Sequence, residues 1–136
     1  MPGVEHHNPA ELPPPAGYSH ASSAGDLVCI GGQVGCDATG RIREPGDVAA
    51  QFGRAIANVG VALKAAGCTT DDVIKLTYLV TDVAAYRAAR KPIGAAYREV
   101  FERNFPASTL IEVKGLYDPD AMVEIEAIAV RHRPRV

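Results

Sequence analysis

The chain has 136 residues, 47% of them hydrophobic and 22% charged, which is enough for one domain with a substantial core. The formal net charge of -2 argues against a nucleic-acid-binding protein, since such proteins present a basic face. The sequence has no apolar run long enough to span a membrane and no signal-peptide pattern, so we expect a cytoplasmic protein without a membrane partner.

The number and spacing of the cysteines indicate whether the chain has disulfides or a metal site. Cys29, Cys36 and Cys68 are an odd number and lack CxxC spacing, which argues against a disulfide framework and against a zinc site. Cys29 lies in an apolar run, so we expect it to be buried as a small hydrophobic residue. The sequence therefore predicts neither a metal nor another cofactor.

The N-terminal part divides at residue 17. Residues 1–16 are rich in proline and predict an extended arm outside the core, followed by a single domain over residues 17–136. Residues 19–24 predict an edge strand, Gly25 and Asp26 a tight turn, and residues 27–30 a short apolar strand.

Paired glycines follow that strand. Gly31 and Gly32 predict either a β-bulge or a place where a ligand approaches the backbone closely. Their spacing fits neither the dinucleotide-binding nor the P-loop pattern, so a nucleotide site is not indicated.

Two helical regions flank a strand. Asp47 is a good N-cap and Gly67 a good terminating residue, and apolar residues recur at helical spacing between them. Residues 73–81 predict a strand and residues 83–103 a second helix, which Pro92 should kink or split. Small residues within the first helix predict close packing against a helix or the sheet: Gly53, Ala57 and Gly60.

Residues 105–130 predict a long antiparallel hairpin, with strands over residues 108–116 and 122–130 around an Asp-Pro turn. Lys114 then faces Glu124 if residues whose numbers sum to 238 are paired. The second strand alternates, and Glu124 lies on the same face as otherwise apolar neighbours. Such a carboxylate belongs either to a solvated edge or to a site.

These elements predict an α+β fold, a mixed sheet with two helices packed on one face. The opposite face of the sheet is predicted to carry an apolar set that is unsuited to water: Leu79, Leu110, Ile128 and Val130. Association with further copies of the chain is the simplest way to cover it.

Several short motifs together resemble the RidA/YjgF/YER057c/UK114 family. The resemblance covers nearly all of the chain after residue 16. The motifs are Tyr18, IGGQVG at residues 30–35, Gln51, Asn58, AAG at residues 65–67, FPAST at residues 105–109 and EIEAIAV at residues 124–130.

This resemblance implies a chorismate-mutase-like fold and a homotrimer with small-molecule clefts between subunits. Well-known members hydrolyse reactive enamines and imines to a 2-oxo acid and ammonia without a metal or cofactor. Carried over to this chain, the resemblance implies a water-activating Glu124, a site aromatic at Tyr18, and substrate-binding positions at Gly31, Gly32, Ser108 and Thr109.

The chain departs from the family pattern at Ser108. Deaminating members have an arginine there that clamps the substrate carboxylate, and serine cannot form a bidentate charged clamp. Arg90, Lys91 and Lys114 are candidate replacements. Two functions follow: hydrolysis of an imine or enamine other than the standard 2-imino acid, or a non-catalytic trimer that binds a small molecule or a partner protein.

Overall fold

A computed structural model describes residues 3–132. These residues form an α+β fold in which a six-stranded mixed sheet, in the order β1-β2-β3-β6-β4-β5, carries its helices on one face. The elements are β1 (Glu5–His7), β2 (Ala21–Ala24), β3 (Leu27–Val34), α1 (Val48–Ala65), β4 (Val73–Val80), α2 (Val83–Ala88), α3 (Arg90–Phe101), β5 (Ala107–Glu112) and β6 (Val123–Val130).

Helix α1 forms where the sequence predicts it. The Asp47 side chain accepts a hydrogen bond from the Ala50 amide at 3.0 Å, and Gly67 has the positive φ of a helix-terminating glycine. A Cβ on Gly53 would lie 3.6 Å from Ala96 of α3, and one on Gly60 would lie 3.4 Å from Val100. The glycines therefore allow α1 and α3 to approach closely.

The second predicted helix is split. Helix α2 ends at Ala88 and α3 begins at Arg90, with Asp82 capping α2 through a hydrogen bond from the Ala85 amide. Pro92 occupies the first turn of α3, where its missing N–H leaves no helical hydrogen bond unmade. Tyr97 and Phe101 project from α3 into the core.

The predicted β5–β6 hairpin is wrong. Strand β5 pairs in parallel with β4, Ser108 lying beside Leu76, and β6 is inserted between β3 and β4. Lys114 therefore does not face Glu124, whose strand partners are Val34 and Leu79. The alternating buried residues of β6 suit a central strand, whereas β5 is exposed along its whole length and suits the edge.

The N-terminal arm belongs to the fold. Strand β1 pairs with β2, so β2 is flanked on both sides and the prediction of an edge strand there is wrong. Leu12 is 2% exposed within the core, so the prediction that residues 1–16 remain outside the core is wrong at this residue. The turn at Gly25 connects β2 to β3 as predicted.

The sheet face away from the helices carries exposed apolar side chains. Ile128 and Val130 are 38% and 44% exposed on β6, and Leu27 is 49% exposed on the adjoining β3. Two predictions need correction. Leu110 pairs with Tyr78 and so faces the helix side at the sheet edge, and Cys29 is exposed because it pairs with Ile128 on the open face.

Candidate functional site

The paired glycines lie in a β-bulge of β3. The register with β6 shifts between Ile30 and Gln33, which confirms the predicted irregularity. A Cβ on Gly32 would lie 2.6 Å from Oε2 of Glu124, so a glycine leaves the room that this carboxylate occupies. A Cβ on Gly31 would lie 3.1 Å from the Ser19 carbonyl oxygen. The bulge thus draws the segment around residue 19 and Glu124 toward the same stretch of backbone.

Glu124 is a half-buried carboxylate on the open face of the sheet. Burial raises the pKa of Glu124, and the negative charge of Glu126, two residues along the same face, raises it further. A raised pKa makes the carboxylate a better proton acceptor once it is ionised. Burial and this neighbouring charge therefore shift the pKa of Glu124 in the direction that suits proton transfer near neutral pH.

Tyr18 is 56% exposed, next to the bulge, with its ring edge-on to His20 at a centroid distance of 5.4 Å. His20 is buried, and its Nε2–H donates to the Pro13 carbonyl oxygen at 2.7 Å. Its Nδ1 accepts from the Gln33 amide nitrogen at 3.1 Å. This network fixes the Tyr18 segment against the bulge. Sequence reasoning missed it, although a histidine and a glutamine on either side of paired glycines were its signal.

Ser108 and Thr109 point to opposite faces of the sheet. The Ser108 hydroxyl donates to the Pro106 carbonyl oxygen at 3.0 Å, and Ser108 lines a cavity on the helix side together with Tyr78. On the open face, the Lys75 ammonium donates to the Thr109 hydroxyl at 2.5 Å. Strand β4 separates β5 from β6, and Ser108 lies level with Leu76 of β4 whereas Glu124 lies level with Leu79. Two strand spacings and three residues along the strand place their backbones roughly 14 Å apart, with the side chains on opposite faces. A single chain does not bring them together.

Ser108 lines a cavity of about 300 Å³ on the helix side of the sheet. Of the three candidate cations, Arg90 lines this cavity, whereas Lys91 and Lys114 do not. Arg98 lines it too, a residue that the sequence analysis missed because it reads as part of a solvated helix face. The other lining residues are Phe52, Tyr78, Tyr86, Ile93, Gly94, Tyr97, Phe105 and Pro106.

The cavity contains protonated phenols at neutral pH. Burial raises the pKa of Tyr86 to about 12 and raises the pKa of Tyr78 further. Both hydroxyls are therefore hydrogen-bond donors rather than phenolates. A second depression, of about 480 Å³, is lined by Asp71, Glu102, Arg103 and Asn104, away from every predicted site residue.

Comparison with known proteins identifies the family. Residues 9–131 match the family model described as endoribonuclease L-PSP. The chain is 36% identical over 123 residues to a goat (Capra hircus) 2-iminobutanoate/2-iminopropanoate deaminase, covering 90% of this chain and 84% of that protein. The chain belongs to the RidA/YjgF family. A RutC family protein of Haemophilus influenzae is also 36% identical, over 124 residues that cover 90% of this chain and 91% of that protein.

The fold of this RidA/YjgF family member matches a solved structure closely. The Escherichia coli YjgF gene product superposes with a TM-score of 0.80 at 32% identity, covering 94% of this chain and 99% of that chain. The mixed sheet with helices on one face is therefore the fold of the family, as the sequence predicts.

The described part of this RidA/YjgF protein offers no cluster of side chains that could bind a metal ion. Within residues 3–132, histidine, cysteine and carboxylate side chains do not gather in a group of three that could hold an ion. None of the helices formed by these residues has both the length and the apolarity needed to cross a membrane.

Proposed function

We propose that this chain hydrolyses the C=N bond of a small imine or enamine, with Glu124 as the general base. The observation that carries the proposal is the Glu124 carboxylate lying over Gly32, half-buried and with a raised pKa. Relatives at 36% identity over most of the chain include a protein named as a 2-iminobutanoate/2-iminopropanoate deaminase, which is chemistry of this class.

The reaction needs one water and one proton relay. Glu124 accepts a proton as the water oxygen bonds to the imine carbon and the C=N π electrons move to nitrogen. Protonation of nitrogen by the same carboxylate gives a carbinolamine. Glu124 then transfers the hydroxyl proton of the carbinolamine to the amine nitrogen, so that the C–N bond breaks, the carbonyl forms and ammonia leaves. The overall change is R₂C=NH + H₂O → R₂C=O + NH₃. We assign the Tyr18 hydroxyl to orient the substrate, because its exposed ring lies beside the same bulge.

We further propose that the site is completed in a homotrimer. Glu124 and the apolar residues around it lie on the open sheet face, where neighbouring subunits would cover them. A neighbouring subunit would also supply the second half of the cleft, with backbone groups at Gly31 and Gly32 on one side and Ser108 and Thr109 on the other. This arrangement removes the difficulty that Ser108 and Glu124 do not meet within one chain.

Ser108 sets the substrate class in this proposal. A serine hydroxyl that already donates to the Pro106 carbonyl oxygen has no charge with which to hold a carboxylate. We therefore expect the substrate to be an imine without a carboxylate next to the C=N carbon.

An arginine introduced at position 108 tests this assignment. Imines would be generated in the assay by an amino-acid oxidase, which gives 2-imino acids, or by an amine oxidase, which gives imines without a carboxylate. We expect wild-type protein to release ammonia faster from the second class. We expect Ser108→Arg to raise kcat/KM for 2-imino acids by about tenfold or more, because a bidentate pair adds well over 1 kcal/mol.

The matched control is Ser108→Gln, which has a long polar side chain without a charge. Wild-type turnover of 2-iminopropanoate as fast as that of a carboxylate-free imine would contradict the assignment of Ser108. So would equal gains from Ser108→Arg and Ser108→Gln.

The uncharged side chain at position 108 also favours a second candidate function, a non-catalytic trimer that binds a small molecule or a partner protein. Glu124 would then be a ligand contact. The same assays separate the two functions, because a binding protein gives no ammonia release above the uncatalysed rate with either class of imine.

A further inference from the structure

One buried glutamine lies between the two side chains that the proposed hydrolysis uses. Gln33 is 3% exposed and pairs with Ile125 of β6, so its side chain lies on the helix side of the sheet. Its amide nitrogen lies 3.1 Å from Nδ1 of His20 and 3.2 Å from the carbonyl oxygen of Gly31. A side-chain amide has two N–H groups, so Gln33 can donate to both acceptors at once.

The surrounding hydrogen bonds fix the orientation of the amide and the tautomer of the histidine. A flipped Gln33 amide would place its oxygen against the carbonyl oxygen of Gly31, and two acceptors repel each other. With the amide nitrogen there instead, Nδ1 of His20 is the acceptor and the ring proton lies on Nε2. This Nε2–H donates to the Pro13 carbonyl oxygen at 2.7 Å, so every contact in the chain has one donor and one acceptor.

At the bulge, Gln33 sets the orientation of the peptide between Gly31 and Gly32. The Gly31 carbonyl oxygen accepts from Gln33, and the Gly31 N–H donates to the His20 carbonyl oxygen at 2.8 Å. Because this peptide is planar and trans, the Gly32 N–H points away from Gln33. A Cβ on Gly32 would lie 2.6 Å from Oε2 of Glu124, so the carboxylate lies directly against the peptide that Gln33 holds.

On its other side, Gln33 holds the segment that carries Tyr18. The His20 ring contacts the Tyr18 ring edge-on, and the His20 backbone N–H donates to Oδ1 of Asn8 at 2.8 Å. With the bond to Pro13, the N-terminal arm and the Tyr18 segment are fixed to the same imidazole. A displacement of Gln33 would therefore reach both Tyr18 and the bulge.

We propose that Gln33 and His20 are positioning residues, which hold Glu124 and Tyr18 in place relative to each other for the C=N hydrolysis. Gln33 acts through the bulge and His20 through the Tyr18 segment. This inference deepens the proposed function and rests on it. Misplacing a reacting group by about 1 Å can cost up to a factor of 10² in rate, so the loss of one buried amide should be visible in kcat.

Gln33→Met tests the proposal, because methionine has a similar length but cannot donate to His20 or Gly31. Ammonia release from the best imine of the two oxidase-generated classes is measured at a series of substrate concentrations. We expect kcat to fall about tenfold or more while KM changes less than about threefold, since the reacting groups are misplaced but the cleft remains.

The matched control is Asn104→Leu. The Asn104 amide also donates to two backbone carbonyl oxygens, at 2.8 Å and 3.3 Å, one of them that of Val73. Val73 pairs with Ala129, five residues along β6 from Glu124. Asn104→Leu should therefore lower stability without lowering kcat. A loss of kcat in this variant as large as that in Gln33→Met would overturn the proposal.

Two substitutions of His20 test its part. Glutamine offers an N–H for the Pro13 carbonyl oxygen and an oxygen for the Gln33 amide, whereas leucine offers neither. His20→Gln should keep kcat within about threefold of wild type, and His20→Leu should lose about as much as Gln33→Met. Equal kcat in the two His20 variants would contradict a positioning role for this residue.

A carbon-13 NMR titration of the Glu124 carboxyl carbon, assigned with Glu124→Gln, measures positioning without turnover. Gln33→Met should lower the pKa of Glu124, because a bulge released from Gln33 lets water reach the carboxylate. An unchanged pKa of Glu124 in Gln33→Met would overturn the proposal even if kcat fell. No ammonia release by wild-type protein would contradict the hydrolysis instead, and the titration would still decide whether Gln33 positions Glu124.

Discussion

At the scale of single residues, the proposed hydrolysis depends on Glu124 and its surroundings. Gly32 provides room for the carboxylate, burial raises its pKa, and Glu126 adds a like charge on the same face. The sequence placed Glu124 on an apolar face and singled out the paired glycines. It did not indicate that the two touch, because their contact depends on the β3–β6 register, which joins residues about ninety positions apart.

The effect of Glu126 predicts a measurable pH shift. A general base works only when ionised, so turnover should fall as the pH drops through the raised pKa of Glu124. Glu126→Gln removes a negative charge that raises this pKa, so the acidic limb of the kcat/KM profile should move to lower pH. The measurement is ammonia release across the pH range for both proteins. An unchanged limb, or a limb displaced to higher pH, would rule out Glu124 as the titrating group.

At the scale of elements, the sequence predicts helix ends and turns correctly but does not predict which strands pair. The Asp47 cap, the helix end at Gly67 and the break near Pro92 are all set by residues within a few positions of each other. The chain also reverses near Asp118, whose carbonyl oxygen accepts from the Ala121 amide. A turn signal nevertheless does not reveal which strand lies beside which. After β5 the chain crosses β4, and β6 pairs with both β3 and β4, so the obvious hairpin does not form.

Two glycine substitutions test the packing of α1. A Cβ on Gly35 would lie 2.6 Å from the backbone oxygen of Gln51, so Gly35→Ala should push α1 away from the sheet and lower the free energy of unfolding by about 1–3 kcal/mol. A Cβ on Gly53, within α1, would lie at ordinary contact distance from the Ala96 side chain. Because alanine favours a helix more than glycine does, Gly53→Ala should raise the free energy of unfolding by about 0.5–1 kcal/mol. Urea unfolding at one fixed protein concentration measures both. A change of the free energy of unfolding in the same direction for both substitutions would contradict this packing of α1.

At the scale of the whole molecule, the open sheet face is the main unexplained surface of a single chain. The sequence predicted that this face is apolar, correctly for Ile128 and Val130 and wrongly for Leu110, which the parallel β4–β5 register turns to the other side. Cys29 and Leu27 add to the face because β3 pairs with β6 there. A contiguous apolar sheet face favours burial between copies of the chain.

A charge on this face should prevent assembly. We expect wild-type protein to have the mass of three chains in solution and Ile128→Glu to shift toward one chain, because the carboxylate would have to be desolvated between subunits. Ala57→Glu, on the exposed surface of α1, is the control and should remain trimeric. Light scattering after size-exclusion chromatography reads the mass directly. A monomeric wild type, or an Ile128→Glu protein that stays trimeric, would contradict the proposed assembly.

The central claim is that Glu124 is the base for hydrolysis of a C=N bond. Ammonia release from the best imine of the two oxidase-generated classes, compared between Glu124→Gln and Glu126→Gln, tests it most directly. The two variants carry the same change on the same strand and face, two residues apart. We predict that Glu124→Gln loses a factor of about 10² or more in turnover while Glu126→Gln remains active. Equal turnover in the two variants would contradict the claim.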